Sequence, residues 1–333
     1  MVIAVDTMGG DFAPQAIVKG ALRGAKQLPV QIALVGRSEE IEKHLPDSAQ
    51  RPSNLRIVAA SDVIAMDAEP TGALRRPESS LFVAVDMVRN QEAQAVVSAG
   101  NSGALLALAH ARVGVIEGLR RAGIAAPVIS RRGPGIIIDA GANADCQPIH
   151  LAQFGLMGSI YAEYALDIRE PRVGLLSIGS EPSKGNSLTR KAFDMLTAMP
   201  INFVGNIEAD GIFNGQVDVT VADGFAGNVA LKTAEAMAHF VMDDLDNCLR
   251  DALNGKLAEF LMTSKLDSLH RRYDYASYGG ALLLGVRGIV VVSHGRSDSR
   301  AIASAIEVAQ RAVEGGVVKH LEQACQQLAV NAN

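Results

Sequence analysis

The chain has 333 residues, of which 31 are Lys or Arg and 36 are Asp or Glu, so its formal net charge is −5. Apolar residues make up 48%, enough to bury a substantial core, and 20% charged residues is too few for a disordered chain. The chain has few aromatic residues, with nine Phe, five Tyr and no Trp, and its net charge is negative. Both features argue against a nucleic-acid binder, which needs basic surfaces and aromatic side chains that stack on bases.

The predicted elements begin with short apolar runs that are followed by glycine and small polar residues. The runs cover 2–5, 31–35, 95–97, 135–138, 173–177, 217–221 and 288–292. Each is apolar along most of its length, which is typical of strands covered on both faces. Helical patterns alternate with them, at 16–23, 81–89, 105–113, 153–165, 301–312 and 317–328. This alternation predicts one large α/β domain, 1–333, with a parallel sheet between helices.

One segment does not follow this alternation of strands and helices. Between about residues 234 and 278 two leucine-rich helical stretches follow each other without a strand, and Asn254-Gly255 marks a turn between them. The pattern predicts a helical hairpin inserted in the domain.

The sequence predicts no targeting signal. Cys146, Cys248 and Cys325 are far apart and form no CxxC motif, which indicates a reducing compartment. The start lacks the basic region of a signal peptide, and no run approaches the roughly 20 apolar residues that span a bilayer. We expect a cytoplasmic protein, with a peripheral contact at the inner face of the cell membrane left open.

The loops after the strands carry the polar residues, and in a parallel sheet ligands bind at the carboxyl ends of strands. We therefore expect several loops to build one site. The first loop supplies Asp6, Gly9, Gly10 and Asp11; glycines admit close approach of backbone N–H groups to an anion. The alternative for this loop is a tight turn with Asp11 as a helix cap.

A second loop, after the strand at 95–97, is richer in donors. It contains the candidates Ser98, Gly100, Asn101, Ser102 and Gly103. Two hydroxyls, an amide and exposed N–H groups suit a phosphate or a developing oxyanion.

Two basic candidates lie in other loops. Arg75 precedes Ser79 at a helix start, a combination that suits phosphate, with a solvated Arg and a Ser cap as the alternative. Lys184 precedes Gly185, the reverse of the P-loop order, so an ATP site is rejected while anion binding remains open.

The loops near the C-terminal half supply further candidates. Asp223 and Gly227 begin a strand-to-helix junction, and Asn228 and Lys232 fall four apart on one helix face. His294 follows a buried strand. The alternatives are a snorkelling Lys and a structural His.

Metal and dinucleotide sites lack support. The seven histidines show no HxxxH spacing, and no GxGxxG fingerprint or GxSxG elbow occurs. We predict no metal and no cofactor.

Several long strings occur together in one order. They are DTMGGD at 6–11, VSAGNSGAL at 97–105, IIDAGAN at 137–143, QFGLMGS at 153–159, DGFAGNVALK at 223–232, YGGALLLG at 278–285 and SHGRS at 293–297. Over essentially the whole chain the sequence resembles the bacterial phosphate acyltransferases of phospholipid synthesis (PlsX type).

The resemblance implies a three-layer α/β/α sandwich, like that of isopropylmalate dehydrogenases and phosphate acetyltransferases. It implies transfer of a fatty acyl group from acyl carrier protein to inorganic phosphate, without a cofactor. The acyl phosphate would feed a membrane glycerol-3-phosphate acyltransferase. A homodimer is also implied, and a peripheral membrane contact through the hairpin. Through IIDAGAN the resemblance adds Asn143 to the substrate-binding residues.

As a hypothesis, the loop 98–103 with Lys184 and Arg75 holds phosphate. Lys232, Asn228 or His294 then stabilises the oxyanion or protonates the leaving sulfur. Three other functions compete: a β-decarboxylating dehydrogenase, a phosphate acetyltransferase that uses acyl-coenzyme A, and a membrane-surface scaffold without turnover. The hairpin has three interpretations: dimer packing, a cover for the acyl chain, or a membrane-facing tip.

Overall fold

The computed structural model describes residues 1–251 and 279–331. The strands in these ranges are β1 (Val2–Asp6), β2 (Gln31–Gly36), β3 (Leu55–Ala59), β4 (Ala95–Ser98), β5 (Gly123–Ser130), β6 (Gly133–Ile138), β7 (Val173–Leu176), β8 (Phe203–Ile207), β9 (Val219–Val221), β10 (Ala281–Leu284) and β11 (Ile289–Val292). The helices are α1 (Gln15–Gln27), α2 (Ser38–Glu42), α3 (Ser80–Arg89), α4 (Ser102–Leu108), α5 (Pro148–Ala165), α6 (Ser187–Thr197), α7 (Ala209–Asn214), α8 (Gly224–Asp251), α9 (Ser299–Glu314) and α10 (Val317–Asn331).

All these strands form one sheet in the order β3-β2-β1-β4-β11-β10-β5-β6-β9-β7-β8. The central strands are buried on both faces, as their continuous apolar sequences predict; Ile3, Ala4 and Val5 of β1 are fully buried. One face packs against α1, α5, α6, α9 and α10, and the other against α3, α4, α7 and the first turns of α8. The predicted α/β/α sandwich with a mostly parallel sheet is confirmed.

The strand direction reverses in the middle of the sheet. The strands β3, β2, β1, β4 and β11 run parallel, whereas β10 is antiparallel to β11 and to β5, and β5 is antiparallel to β6. The block β6-β9-β7-β8 is again parallel internally but opposite in direction to the first block. The sheet is therefore parallel within each block and antiparallel in its middle. The carboxyl ends of β1, β4 and β11 lie at one edge, and those of β6, β9 and β7 lie at the other.

Four strands have no counterpart among the predicted runs: β3, β5, β8 and β10. Strand β5 contains Pro127, and β8 contains Asn206 and Gly205, so neither reads as a simple apolar run. Two of these strands, β10 and β5, are the ones at which strand direction reverses and the sheet divides into two blocks.

The predicted hairpin lies partly outside the described residues. Helix α8 continues without interruption through 234–251, and the predicted turn at 254–255 falls in the part that is not described. None of the helices in the described part is long and apolar enough to cross a membrane.

Candidate functional site

A groove of about 380 Å³ crosses the face of the sheet where β10 and β5 separate the two blocks. Its walls come from α4, from α8 and from the segment after β11. The apolar part of the lining consists of Leu106, Ile124, Ala126, Pro127, Ala140, Leu231, Ala281, Val292 and Ala301. The polar part consists of Ser102, Asn228, Lys232, Glu235, Ser293, His294 and Ser297. The groove thus receives loops from both edges of the sheet.

A buried carboxylate fixes the loops of the first block. Asp6 at the end of β1 accepts hydrogen bonds from the hydroxyls of Ser80 (2.6 Å) and Ser98 (2.7 Å) and from the backbone N–H of Met8 (3.3 Å). Burial raises the pKa of Asp6, and these hydrogen bonds partly oppose the rise. Ser98 also accepts the N–H of Gly100 at 3.0 Å. Asp6 and Ser98 therefore hold these loops in place without lining the groove themselves.

The two glycine-rich loops of this block pack directly against each other. A Cβ placed on Gly9 would lie 2.6 Å from Asp6 Oδ2 and 2.7 Å from Gly100 Cα, so only glycine fits. The N–H of Asp11 donates to the carbonyl of Gly295 at 2.8 Å, which ties the first loop to the segment after β11. Gly10 lies in the same contact, close to Gly295 and to the loop after β4.

Asn101 positions α4 and the segment 65–68. Its Oδ1 accepts the N–H of Ala104 at 2.9 Å as the N-cap, and its Nδ2 donates to the carbonyls of Met66 (3.0 Å) and Ala68 (2.9 Å). This arrangement presents the next two residues, Ser102 and Gly103, to the groove.

Arg75 and Ser79 are placed differently. Arg75 is exposed at the end of a 3-10 turn, Pro70–Arg75, and does not line the groove. Ser79 is fully buried as the N-cap of α3, with its hydroxyl donating to the carbonyl of Arg76 at 2.8 Å. The neighbouring Arg76 pairs with Asp62.

In the second block Asp139 organises the loop after β6. Its Oδ1 accepts backbone N–H groups of Ile124 (2.9 Å), Gly141 (3.1 Å) and Ala142 (3.0 Å), and its Oδ2 accepts the N–H (2.7 Å) and Nδ2 (2.8 Å) of Asn143. The residue is fully buried. Asp139 is not among the site residues predicted from the sequence, although it belongs to the string IIDAGAN. The feature that could have indicated it is an Asp directly after an apolar strand.

Helix α8 starts against this loop. Asp223 caps it by accepting the N–H of Ala226 at 2.8 Å. A Cβ on Gly227 would lie 1.9 Å from the carbonyl oxygen of Asp139, so the helix can approach only because this residue is glycine. The close approach places Asn228 beside Gly141, and both line the groove.

Lys232, Glu235 and His294 meet across the groove. Lys232 Nζ lies 2.7 Å from Glu235 Oε2. Burial lowers the pKa of His294, the cations Lys232 and Arg296 lower it further, and Glu235 opposes the shift. The ring is therefore neutral at pH 7. Its Nδ1 accepts the N–H of Arg296 at 3.2 Å, which leaves the ring proton on Nε2.

Three polar residues of the groove lining, Glu235, Ser293 and Ser297, are not among the residues predicted from the sequence. Ser293 is only 2% exposed, and its Oγ has no hydrogen-bond partner among the residues that the structure describes. A buried hydroxyl of this kind marks a place where a ligand or water donates or accepts. Glu235 lies one helical turn from Lys232, and nothing in the local sequence distinguishes it from a solvated helix residue.

Lys184 lies on an exposed loop after β7 and does not line the groove. Beneath this loop, Ser177 Oγ and Asn206 Oδ1 are buried and lack partners within the described ranges. The loop is held by Asn206 Nδ2, which donates to the carbonyl of Glu181 at 2.8 Å.

The structure therefore sorts the sequence-predicted residues into three groups. Those lining the groove are Ser102, Gly103, Asn228, Lys232 and His294. Those in the loops that support it are Asp6, Gly9, Gly10, Asp11, Ser98, Gly100, Asn101, Asn143, Asp223 and Gly227. Those elsewhere are Arg75, Ser79 and Lys184.

Comparison with known structures defines the class of fold. A phosphotransacetylase from Streptococcus pyogenes superimposes with a TM-score of 0.64 at 15% identity, covering 96% of this chain and 94% of that one. A 4-hydroxythreonine-4-phosphate dehydrogenase from Klebsiella pneumoniae gives a TM-score of 0.55 at 12% identity, over 94% and 98% of the two chains. The fold is thus the one shared by phosphotransacetylases and this dehydrogenase.

Sequence comparison is more specific. A phosphate acyltransferase from Thermodesulfovibrio yellowstonii is 42% identical over 325 residues, covering 98% of this chain and 94% of the relative. The family profile described as "Fatty acid synthesis protein" matches residues 1–320. The chain belongs to this fatty acid synthesis protein family, and it is an acyltransferase.

Proposed function

We propose that the protein transfers a long-chain fatty acyl group from acyl carrier protein to inorganic phosphate and releases acyl phosphate. The observation that carries the proposal is the groove itself, which combines an extended apolar wall with Lys232 and His294. An apolar wall suits an acyl chain, and a cation beside a neutral imidazole suits an anionic nucleophile and a developing oxyanion.

In the reaction, a phosphate oxygen attacks the thioester carbonyl carbon and forms a C–O bond. The carbonyl becomes a tetrahedral oxyanion, which collapses as the C–S bond breaks. The sulfur leaves with the electron pair and takes up a proton. Phosphate is already anionic at pH 7, so no base is needed to activate it. The protein contributes positioning and electrostatic stabilisation.

The neutral His294 ring fits the donor role in this step. Because its Nδ1 accepts the N–H of Arg296, Nε2 carries an N–H that can donate a hydrogen bond to the oxyanion, and the departing sulfur takes its proton from the Lys232 ammonium group or from solvent. Lys232 supplies positive charge, and its pairing with Glu235 holds the ammonium group at the groove. Asn228 adds an amide donor from the same helix.

Lys184 would reach the phosphate from its own loop after β7. With Arg75 it is proposed as a second source of positive charge outside the groove lining.

The proposal includes partners. Acyl carrier protein is acidic, so docking on a chain of net charge −5 needs local positive patches. The pairs Arg120-Arg121 and Arg131-Arg132 are exposed, whereas a third pair, Arg271-Arg272, lies outside the described residues. A homodimer, a peripheral membrane contact and delivery of acyl phosphate to a membrane glycerol-3-phosphate acyltransferase complete the proposal.

A phosphate acetyltransferase-like activity on acyl-coenzyme A is the second candidate, because the fold likeness to a phosphotransacetylase favours it. Purified protein is incubated with radiolabelled phosphate and either palmitoyl-acyl carrier protein or acetyl-coenzyme A. Label in acyl phosphate together with free carrier thiol supports the proposal. Label only with acetyl-coenzyme A supports the alternative, and no label with either thioester refutes both.

Two lysine variants test the assignments. Lys184→Ala and Lys232→Ala are each expected to lower turnover at least tenfold, because each removes a charge that meets phosphate or the oxyanion. Lys26→Ala, an exposed position at the end of α1, is the matched control. Wild-type turnover in both test variants would refute the scheme.

A further inference from the structure

A second cavity, of about 390 Å³, lies on the opposite face of the sheet from the groove. We call it the rear cavity. It is bounded by α5, by α9 and by the hairpin of β5 and β6. Its lining is mainly apolar and includes Ile129, Ile136, Tyr161, Ala165, Leu166 and Val308. Both spaces fall in the size range of small-molecule sites.

The rear cavity adjoins the groove. Pro127 of β5 lines both spaces. On α9, Ala301 lines the groove, whereas Ser304 and Val308, about one and two helical turns further on, line the rear cavity. The two spaces therefore share one strand and one helix.

The strand pairing changes at this point. The register of β10 with β5 ends at the pair Leu282 and Ala125. Strand β5 continues to Ser130, and among the described residues its second half pairs with β6 alone. Beyond residue 126, within 1–251 and 279–331, no strand follows β5 on the side of β10, and Pro127, which has no N–H, lies on that side.

The polar side chains of the rear cavity are those of Ser130, Tyr161, Ser304 and Arg311. Tyr161 is 5% exposed, and burial raises the pKa of its hydroxyl to about 12. Arg311, half exposed and paired with Glu307 at 3.1 Å, lies at the solvent side. Such a lining suits an uncharged hydrocarbon chain inside and water at the rim.

We infer that the acyl chain of the thioester substrate passes from the groove beside Pro127 into the rear cavity, whose depth determines the longest chain that is accepted. The inference rests on the proposed function. The groove alone has about 380 Å³ for phosphate, the thioester and the start of the chain, so a long chain needs a second apolar space. The rear cavity adjoins the groove at Pro127 and has a mainly apolar lining.

The first test narrows the rear cavity. We expect Val308→Phe and Ser304→Leu each to lower the ratio of kcat/KM for hexadecanoyl to octanoyl thioester at least tenfold, because only the longer chain reaches these positions. Val313→Phe, partly buried on another face of α9 and outside both spaces, should leave the ratio within twofold. An unchanged ratio in both folded test variants would overturn the inference.

The second test does not depend on turnover. The full-length protein is irradiated with hexadecanoyl-pantetheine that carries a diazirine at the end of its chain, and the labelled peptides are mapped. Label in 127–136, 161–166 or 304–311 supports the inference. Label confined to the groove peptides or to surface peptides elsewhere overturns it. Absence of acyl phosphate with every thioester, combined with rear-cavity labelling, refutes the proposed function and leaves the chain site supported.

Discussion

The carboxylate of Asp139 offers a sharp test of how the second block of the site is held. It accepts five hydrogen bonds, three on Oδ1 and two, both from Asn143, on Oδ2. In Asp139→Asn the amide oxygen can replace Oδ1, but the NH₂ group then faces the two Asn143 donors. Two donors of the half-buried Asn143 lose their acceptor, at about 1 kcal/mol each because water can partly replace it, so the expected loss is about 2 kcal/mol. That is a large share of a typical stability of about 5–15 kcal/mol.

The matched control is Asp223→Asn. Asp223 accepts one N–H, at the cap of α8, and Asn caps helices about as well as Asp. The free energy of unfolding is measured by urea denaturation followed by circular dichroism, alongside acyl transfer, since Gly141 in the same loop lines the groove. We expect the control to stay within about 0.5 kcal/mol of wild type. Equal stability of the two variants would refute the assignment of Asp139 as the centre of this loop.

Three further results are expected. Gly9→Ala should lose activity and stability, because its Cβ would lie 2.7 Å from a backbone atom of the facing loop, while Gly72→Ala, with open space around it, should not. Since the pKa of His294 lies below 6.5, kcat/KM should fall only when the pH drops below that value, and Lys232→Ala should move this acid limb to higher pH. Because burial raises the pKa of Cys146 to about 11, about one thiol in a thousand is ionised at pH 8, so its alkylation should be slow compared with the exposed cysteine on α8.

Each of these has a contrary outcome. Equal unfolding free energies for the two glycine variants would contradict the close packing of the loops. An acid limb that stays in place in Lys232→Ala would show that this lysine does not act on His294. The pH dependence of stability has the same sign: because the pKa of the exposed His294 ring is lowered in the folded state, stability is highest above pH 6.5 and decreases as the pH falls through the folded-state pKa. Fast alkylation of Cys146 at pH 8 would contradict its burial.

The sequence alone determined the layers, seven of the eleven described strands and the family. These follow from local rules, because strands covered on both faces must be apolar throughout and a turn that approaches a ligand or helix needs glycine. The loops around Gly9, Gly100 and Gly227 are therefore visible as strings. Lys232 and His294 stood out as polar residues in apolar surroundings, and the fold places both in one groove.

Tertiary structure decided which loops meet. The reversal at β10 and β5 sends strand ends to opposite edges, and no local pattern records strand direction, since parallel and antiparallel pairing depend on partners distant in sequence. For the same reason Ser293 and Glu235 could not be distinguished from ordinary polar residues until their neighbours were known. Lys184, conspicuous in the sequence, lies outside the groove lining because its strand, β7, stands near the far edge of the sheet.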